Sequence, residues 1–232
     1  MKAVILAGGK GTRLLPYTIV FPKPLVPIGN TPIIEIIFKQ EKKAGFNDIT
    51  LAVGHLAELV QAYFGKGEKL GIKLNYSKED NPLGTAGPLA LIKDLKDTFL
   101  VMNGDILTTL NFKDLFEFHQ KYKPTVTIAT TFKKVNIDFG IIEENEKNEI
   151  IKYVEKPDMR YLVSMGIYIF EPKILKYIKK GEYLDFPDLI EKLLKNKEKV
   201  KNYLSDDYWL DIGRKEDYKK AIEDQTEMKD IY

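Results

Sequence analysis

The 232 residues carry 36 Lys and Arg against 34 Asp and Glu, a formal net charge of +2, so the charge balance gives no nucleic-acid footprint. With 44% apolar residues, 30% charged residues and no cysteine, the composition is that of a globular protein with a sizeable core; disulfides, thiolate metal centres and Cys nucleophiles are excluded. No apolar run approaches the roughly 18 residues of a membrane span. The chain enters an apolar strand without a basic, then apolar, leader. A cytoplasmic enzyme with no nucleic-acid or membrane partner is expected, and a homo-oligomer stays open.

In chain order, apolar runs at 3–6, 49–53, 72–76 and 99–102 read as short buried strands, and 32–44, 56–64, 87–95 and 112–122 as helices. This alternation predicts an α/β fold: a Rossmann-like, doubly wound, mostly parallel sheet. After Pro124 the rhythm changes. Strands at 125–132, 150–155 and 163–170 are separated by turns, then helices are expected at 172–178, 186–196 and 215–223, with a polar tail at 224–232. The second half therefore reads as an α+β elaboration closing one side of a cleft. No linker or internal repeat divides the chain, so 1–232 is expected to be one domain with halves at 1–124 and 125–223.

The first strand opens into LAGGKGTRL at 6–14, followed by Pro22-Lys23-Pro24. Glycine amides that can approach an anion, the guanidinium of Arg13 and a lysine held between prolines suit a polyphosphate. Arg13 is conspicuous because only three of the 36 basic residues are Arg: Arg13, Arg160 and Arg214. Two common glycine loops are excluded. A P-loop needs Gly-Lys-Ser/Thr where Gly-Thr-Arg stands, and the dinucleotide fingerprint that begins at Gly9 meets Leu14 in place of its third glycine.

Asp105 follows the strand at 99–102, where an open α/β sheet gathers its ligands. Asp211 is an acid in the apolar stretch Trp209-Leu-Asp-Ile-Gly213. Two carboxylates without cysteine suit Mg²⁺, which takes one or two carboxylates plus phosphate oxygens and water. Glu155-Lys156-Pro157 holds a second lysine against a proline, which suggests a second phosphate. The segment 83–89, Leu-Gly-Thr-Ala-Gly-Pro-Leu, places small residues at an expected helix N-terminus, where backbone amides can meet a ligand. His55 and His119 read as surface or structural residues.

Taken together, LAGGKGTRL, the Lys-Pro-Leu-x-Pro-Ile run from Lys23, Leu-Gly-Thr-Ala-Gly at 83–87, Asn103-Gly-Asp105, Glu155-Lys-Pro157, Gly166-Ile-Tyr-x-Phe170 and Trp209-x-Asp-Ile-Gly213 resemble the sugar-1-phosphate nucleotidylyltransferases. The likeness runs from Met1 to about Ala221 and leans toward the mannose-1-phosphate guanylyltransferase branch. It implies a nucleotide-diphospho-sugar transferase fold, with a nucleotide half at 1–124 and a sugar-phosphate half at 125–223. Leu6, Ala7, Gly8, Gly9, Gly11, Thr12, Arg13, Glu79, Gly84 and Thr85 would bind the nucleotide. Arg13, Lys23 and Asp105 would serve catalysis, and Asp105 and Asp211 would hold Mg²⁺. Asn103, Gly140, Glu155, Lys156 and Ser164 would hold the sugar phosphate, although Ser164 stands where the family usually has Asn.

The implied reaction passes a nucleotidyl group from an NTP to a sugar-1-phosphate, giving an NDP-sugar and pyrophosphate. In relatives that use UTP or dTTP, a Gln five residues before the glycine matching Gly84 reads the pyrimidine; here that position is Glu79, or Asp80 if the alignment slips by one, and a carboxylate there favours GTP. The alternatives are a thymidylyl- or uridylyltransferase acting on glucose-1-phosphate, a non-catalytic regulatory subunit of the same fold, and a nicotinamide oxidoreductase. Retention of Arg13, Lys23, Asp105 and Asp211 argues against the regulatory subunit, and the failed fingerprint against the oxidoreductase. Many relatives append a left-handed β-helix or a regulatory domain. This chain stops soon after the last motif, so a free-standing catalytic domain without acetyltransferase activity is expected.

Overall fold

A computed structural model describes residues 1–9, 11–19 and 21–224, with the backbone alone for Tyr17. Its strands and helices, in order, are β1 (Lys2–Ala7), β2 (Pro27–Ile28), β3 (Thr31–Pro32), α1 (Ile33–Lys43), β4 (Asp48–Val53), α2 (Ala57–Phe64), β5 (Lys73–Lys78), β6 (Phe99–Asn103), β7 (Ile106–Thr108) and α3 (Phe112–Tyr122). There follow β8 (Val126–Asn136), β9 (Ile141–Glu144), β10 (Ile150–Val154), β11 (Asp158–Phe170), α4 (Phe186–Lys195), β12 (Val200–Leu204), β13 (Trp209–Asp211) and α5 (Lys215–Asp224).

Seven strands form the central sheet in the order β12-β8-β11-β6-β1-β4-β5. Pairs β6–β1, β1–β4, β4–β5 and β12–β8 are parallel, whereas β11 runs antiparallel to both β6 and β8. The expected doubly wound, mostly parallel sheet is therefore present. Its inner strands are apolar runs because helices cover both faces. Ala3 and Ile5 of β1 point into a core with Ile33, Ile37 and Phe38 of α1, while Val4 points into a second core with Phe99, Phe186 and Leu189.

The four parallel strands β6, β1, β4 and β5 all end on one edge. The residues just past those ends are Gly104-Asp105, Gly8, Gly54 and Glu79. One edge of the sheet thus gathers residues that lie up to 97 positions apart in sequence (Gly8 to Asp105).

Several elements differ from expectation. The helix expected at 87–95 is a 3₁₀ turn over Gly87–Leu91, with the Ala86 and Gly87 amides donated to the Leu184 carbonyl. The segment Pro172–Tyr177 is likewise 3₁₀. Strand β8 runs past 132 to Asn136 and β11 begins at Asp158. The two pair as a long antiparallel ribbon that projects beyond the sheet, with the β9–β10 hairpin between them in the chain. The three-residue strands β7 and β13, and β12, have no counterpart in the sequence reading. Asp224 closes α5, and the remainder of the expected tail, 225–232, lies outside the described residues.

One core residue is out of keeping with its surroundings. Glu41 of α1 is fully buried, and neither carboxyl oxygen has a hydrogen-bond partner among the described residues. Burial pushes its carboxyl well above the ordinary glutamate range, so the folded chain holds the proton where the unfolded chain releases it. Folding is then favoured below the unfolded pKa of about 4.3 and loses that contribution as pH rises toward the folded value. Glu41→Met is expected to stabilise the protein by about 1–3 kcal/mol near neutrality, or about 2–4 °C in Tm per kcal/mol. The gain should grow between pH 5 and pH 8; an equal gain at both, or a loss, in thermal unfolding runs would contradict it.

Candidate active site

The glycine loop leaves β1 at Ala7. Gly11 sits at φ +64°, the left-handed region open to glycine, and its carbonyl accepts from the Leu14 amide (2.9 Å) and the Thr18 hydroxyl (2.7 Å). A Cβ on Gly11 would lie 2.8 Å from Thr18 Cγ2, so the turn excludes any larger residue. Thr12, Arg13 and Leu14 continue as a 3₁₀ turn.

Pro22 then presents Lys23 at the head of a second 3₁₀ turn. The Lys23 ammonium pairs with Asp105 Oδ2, both side chains being largely enclosed. Asp105 is fixed in turn: the neighbouring Gly104 amide donates to the Leu6 carbonyl at 2.9 Å, and the Ile212 amide donates to the Asp105 carbonyl at 2.9 Å.

Strands β7 and β13 pair antiparallel with Asp211 opposite Ile106, the residue after Asp105. The two aspartates are thereby brought side by side from positions 106 apart (211 − 105). Partial burial raises the Asp211 carboxyl and the nearby Asp105 raises it further, while Lys23 and Arg13 oppose the shift. Among the described residues no group of three or more His, Cys, Asp or Glu forms a metal cluster. Two carboxylate donors beside a phosphate-sized crevice fit Mg²⁺, whose remaining positions go to phosphate oxygens and water.

A cavity of about 270 Å³ holds Leu6, Ala7, Gly9, Gly11, Thr12, Arg13, Lys23 and Asp105 on one lining. Gly213 completes it: a Cβ there would lie 3.1–3.3 Å from the Arg13 guanidinium atoms, so glycine lets the guanidinium lie flat against the chain. Arg13 and Gly213 also line a second cavity of about 590 Å³, which contains Asp211.

Glu79 is half-buried against the loop, its Oε1 crowding the space a Gly8 side chain would need, whereas Asp80 is exposed. Its Oε2 accepts from the Leu83 amide at 3.1 Å; burial raises its carboxyl and that bond partly lowers it.

The loop at 83–87 departs from expectation. Its amides are not offered to a ligand from a helix N-terminus: Ala86 and Gly87 are bound to Leu184, and Thr85 donates both its amide (2.9 Å) and its hydroxyl (3.1 Å) to Asp185 Oδ1. Tyr183 donates to the other Asp185 oxygen, and the Leu184 amide returns to the Leu83 carbonyl. Asp185 and Leu184 were missed because they lie 100 positions away and no local pattern marks them. Gly84, at φ +76°, lies against the Leu184 carbonyl.

The sugar-side residues are split. Asn103, at the end of β6, packs its amide on Gly166, and the Ser164 hydroxyl bridges the Gly166 amide (3.2 Å) and Tyr168 (3.1 Å). Gly140 and Glu155 meet on the hairpin through Tyr153, whose hydroxyl donates to Glu155 Oε2 at 2.9 Å. Lys156 is exposed at φ +44°, and none of these three lines the cavity that holds Asp105. His119 is buried between Thr127 and Glu171, away from that cavity, and His55 is exposed.

Residues 2–228 match the family model described as nucleotidyl transferase. The chain belongs to that family. It is 38% identical over 230 residues to mannose-1-phosphate guanylyltransferase catalytic subunit beta of Dictyostelium discoideum, with 94% of this chain and 62% of the relative covered. It is 35% identical over 242 residues to a UTP–glucose-1-phosphate uridylyltransferase of a Synechocystis strain, covering 96% of this chain and 62% of that protein. The chain thus spans 62% of the length of either relative. The structure of HddC from Yersinia pseudotuberculosis complexed with GMP-PN superposes at a TM-score of 0.71, with 26% identity, 96% of this chain and 98% of that one covered.

Proposed function

We propose that this nucleotidyl transferase family member is a sugar-1-phosphate nucleotidylyltransferase that prefers GTP. The observation that carries the reading is the convergence of the glycine loop, Arg13, Lys23, Asp105 and Asp211 at the carboxyl ends of β1, β6 and β13. A phosphate oxygen of the sugar-1-phosphate, already anionic, attacks the NTP α-phosphorus. The bond from that phosphorus to the bridging oxygen of the β-phosphate breaks, and pyrophosphate leaves with the bonding pair. No proton need be moved, which suits a site without histidine. The loop amides and Arg13 hold the triphosphate, and Lys23 neutralises charge where transfer occurs. Asp105 and Asp211 would hold Mg²⁺, which supplies Lewis-acid charge neutralisation when bound.

In the same reading the nucleotide occupies the half made by 1–124, with Glu79 at its base and Gly84 and Thr85 shaping the loop that holds Glu79 in place. The sugar phosphate occupies 125–223, with Asn103 reaching it from β6 and Gly140, Glu155, Lys156 and Ser164 from the ribbon. A cytoplasmic setting supplies the NTP; among the described residues no helix is long and apolar enough to cross a membrane.

The test is pyrophosphate release across GTP, ATP, UTP and dTTP, each against mannose-, glucose- and other sugar-1-phosphates. Release with GTP and one sugar supports the reading. Release confined to UTP or dTTP with glucose-1-phosphate installs the pyrimidine alternative, and no release with any pair overturns the enzyme reading.

A further inference from the structure

The second cavity carries three cations, Lys133, Lys134 and Arg214, that the nucleotidyl-transfer site does not use. It is about 590 Å³, opens beside Arg13 and Asp211, and extends between β13, the start of α5 and the β8 segment at 131–134. Lys133, Lys134 and Arg214 line it together with Arg13. None of these four makes an ion pair among the described residues; Lys133 lies over the Trp209 ring at 5.8 Å. Three carboxylates share the lining, and two of them accept hydrogen bonds from neutral donors. Asp207 accepts from Ser205 and Thr109, and Asp217 accepts from the Arg214 amide at 2.9 Å. Lys220 is paired with Asp224. The lining thus sets four cations without ion pairs against the carboxylates of Asp207, Asp211 and Asp217.

The residue types are as telling as the count. Only three arginines occur among the 36 basic residues, yet two of them, Arg13 and Arg214, line this one cavity. A planar guanidinium with five donors matches phosphate oxygens in a way a lysine point charge does not. Arg13 and Gly213 line both cavities, so an anion leaving the crevice at Arg13 meets the second cavity next.

We propose that this cavity is a diphosphate-binding site that receives the leaving pyrophosphate, handed on from Arg13 to Lys133, Lys134 and Arg214. This rests on the transfer reading for the source of the pyrophosphate, but not for the binding itself. Two guanidiniums and two lysines spread along the cavity suit two linked phosphates better than a phosphate monoester, whose sugar would also need hydroxyl partners. Steering a highly charged product away from the transferring atoms favours its release and disfavours the reverse reaction.

The experiment is calorimetric titration of sodium pyrophosphate, without magnesium, into the full chain and into a Lys134→Met/Arg214→Met double variant, with melting curves confirming that both are folded. Each lost charge-assisted contact should weaken binding by about tenfold, and wild-type binding should fall steeply with added NaCl. Lys134→Met alone should give an intermediate value. Equal pyrophosphate affinity in wild type and the double variant overturns the proposal, as does full competition by a sugar-1-phosphate at equal concentration. If no NTP and sugar pair gives turnover while the double variant still loses pyrophosphate, the transfer reading fails and the site stands.

Discussion

Asp211→Asn is expected to lower turnover by about 10²–10³-fold while leaving the thermal midpoint close to that of the wild type. Asn matches Asp in size and keeps one acceptor oxygen, so the β7–β13 pairing opposite Ile106 has no reason to change. What goes is half of the negative charge available for a divalent cation. Partial burial and the neighbouring Asp105 both disfavour that charge, while Lys23 and Arg13 favour it. A partly buried carboxylate beside a second carboxylate and two cations is, on the proposed reading, a functional rather than a structural residue. The loss should appear in kcat and in the magnesium concentration needed for half-maximal rate, more than in KM for the sugar phosphate. Turnover within threefold of wild type at saturating magnesium would remove Asp211 from the metal site.

The parallel half of the sheet was legible because its strands are covered on both faces: the apolar runs at 3–6, 49–53 and 99–102 had nothing else to be. The site was legible to the same degree, since the carboxyl ends of those strands deliver Gly8, Glu79 and Asp105 to one edge. What escaped had weaker local signals. Strands β7 and β13 are three residues each, and their pairing is a tertiary event. The outer parts of β8 and β11 are exposed on both faces, so Lys133–Val135 and Arg160–Leu162 show no alternation of burial to read. Gly87–Leu91 looks helical but forms only a 3₁₀ turn, and nothing near position 85 announces Leu184 and Asp185, the acceptors about 100 positions away that take the Ala86, Gly87 and Thr85 amides.

Wild-type protein is expected to favour GTP over UTP and dTTP by at least about tenfold in kcat/KM, and Glu79→Gln to bring the three within a few-fold of one another. The carboxylate, not the neighbouring Asp80, is the group docked against the glycine loop. Its Oε2 already takes the Leu83 amide, which fixes the plane of the carboxyl and leaves Oε1 and a second lone pair of Oε2 for a base edge. Guanine offers two adjacent donors, N1–H and N2–H₂, and two charge-assisted bonds of about 1.5–3 kcal/mol each more than cover a tenfold preference. Uracil and thymine would set carbonyl oxygens against the same carboxylate, a repulsion that rejects them as firmly as guanine is accepted. Glutamine keeps an oxygen for the Leu83 amide, so the loop and its Asp185 anchor stay in place, but its NH₂ turns that repulsion into a bond with a pyrimidine carbonyl. The shift should therefore come from a gain with UTP and dTTP as well as a loss with GTP, measured as pyrophosphate release at subsaturating nucleotide. Equal or better turnover with dTTP or UTP in the wild-type protein would show that Glu79 does not read the base.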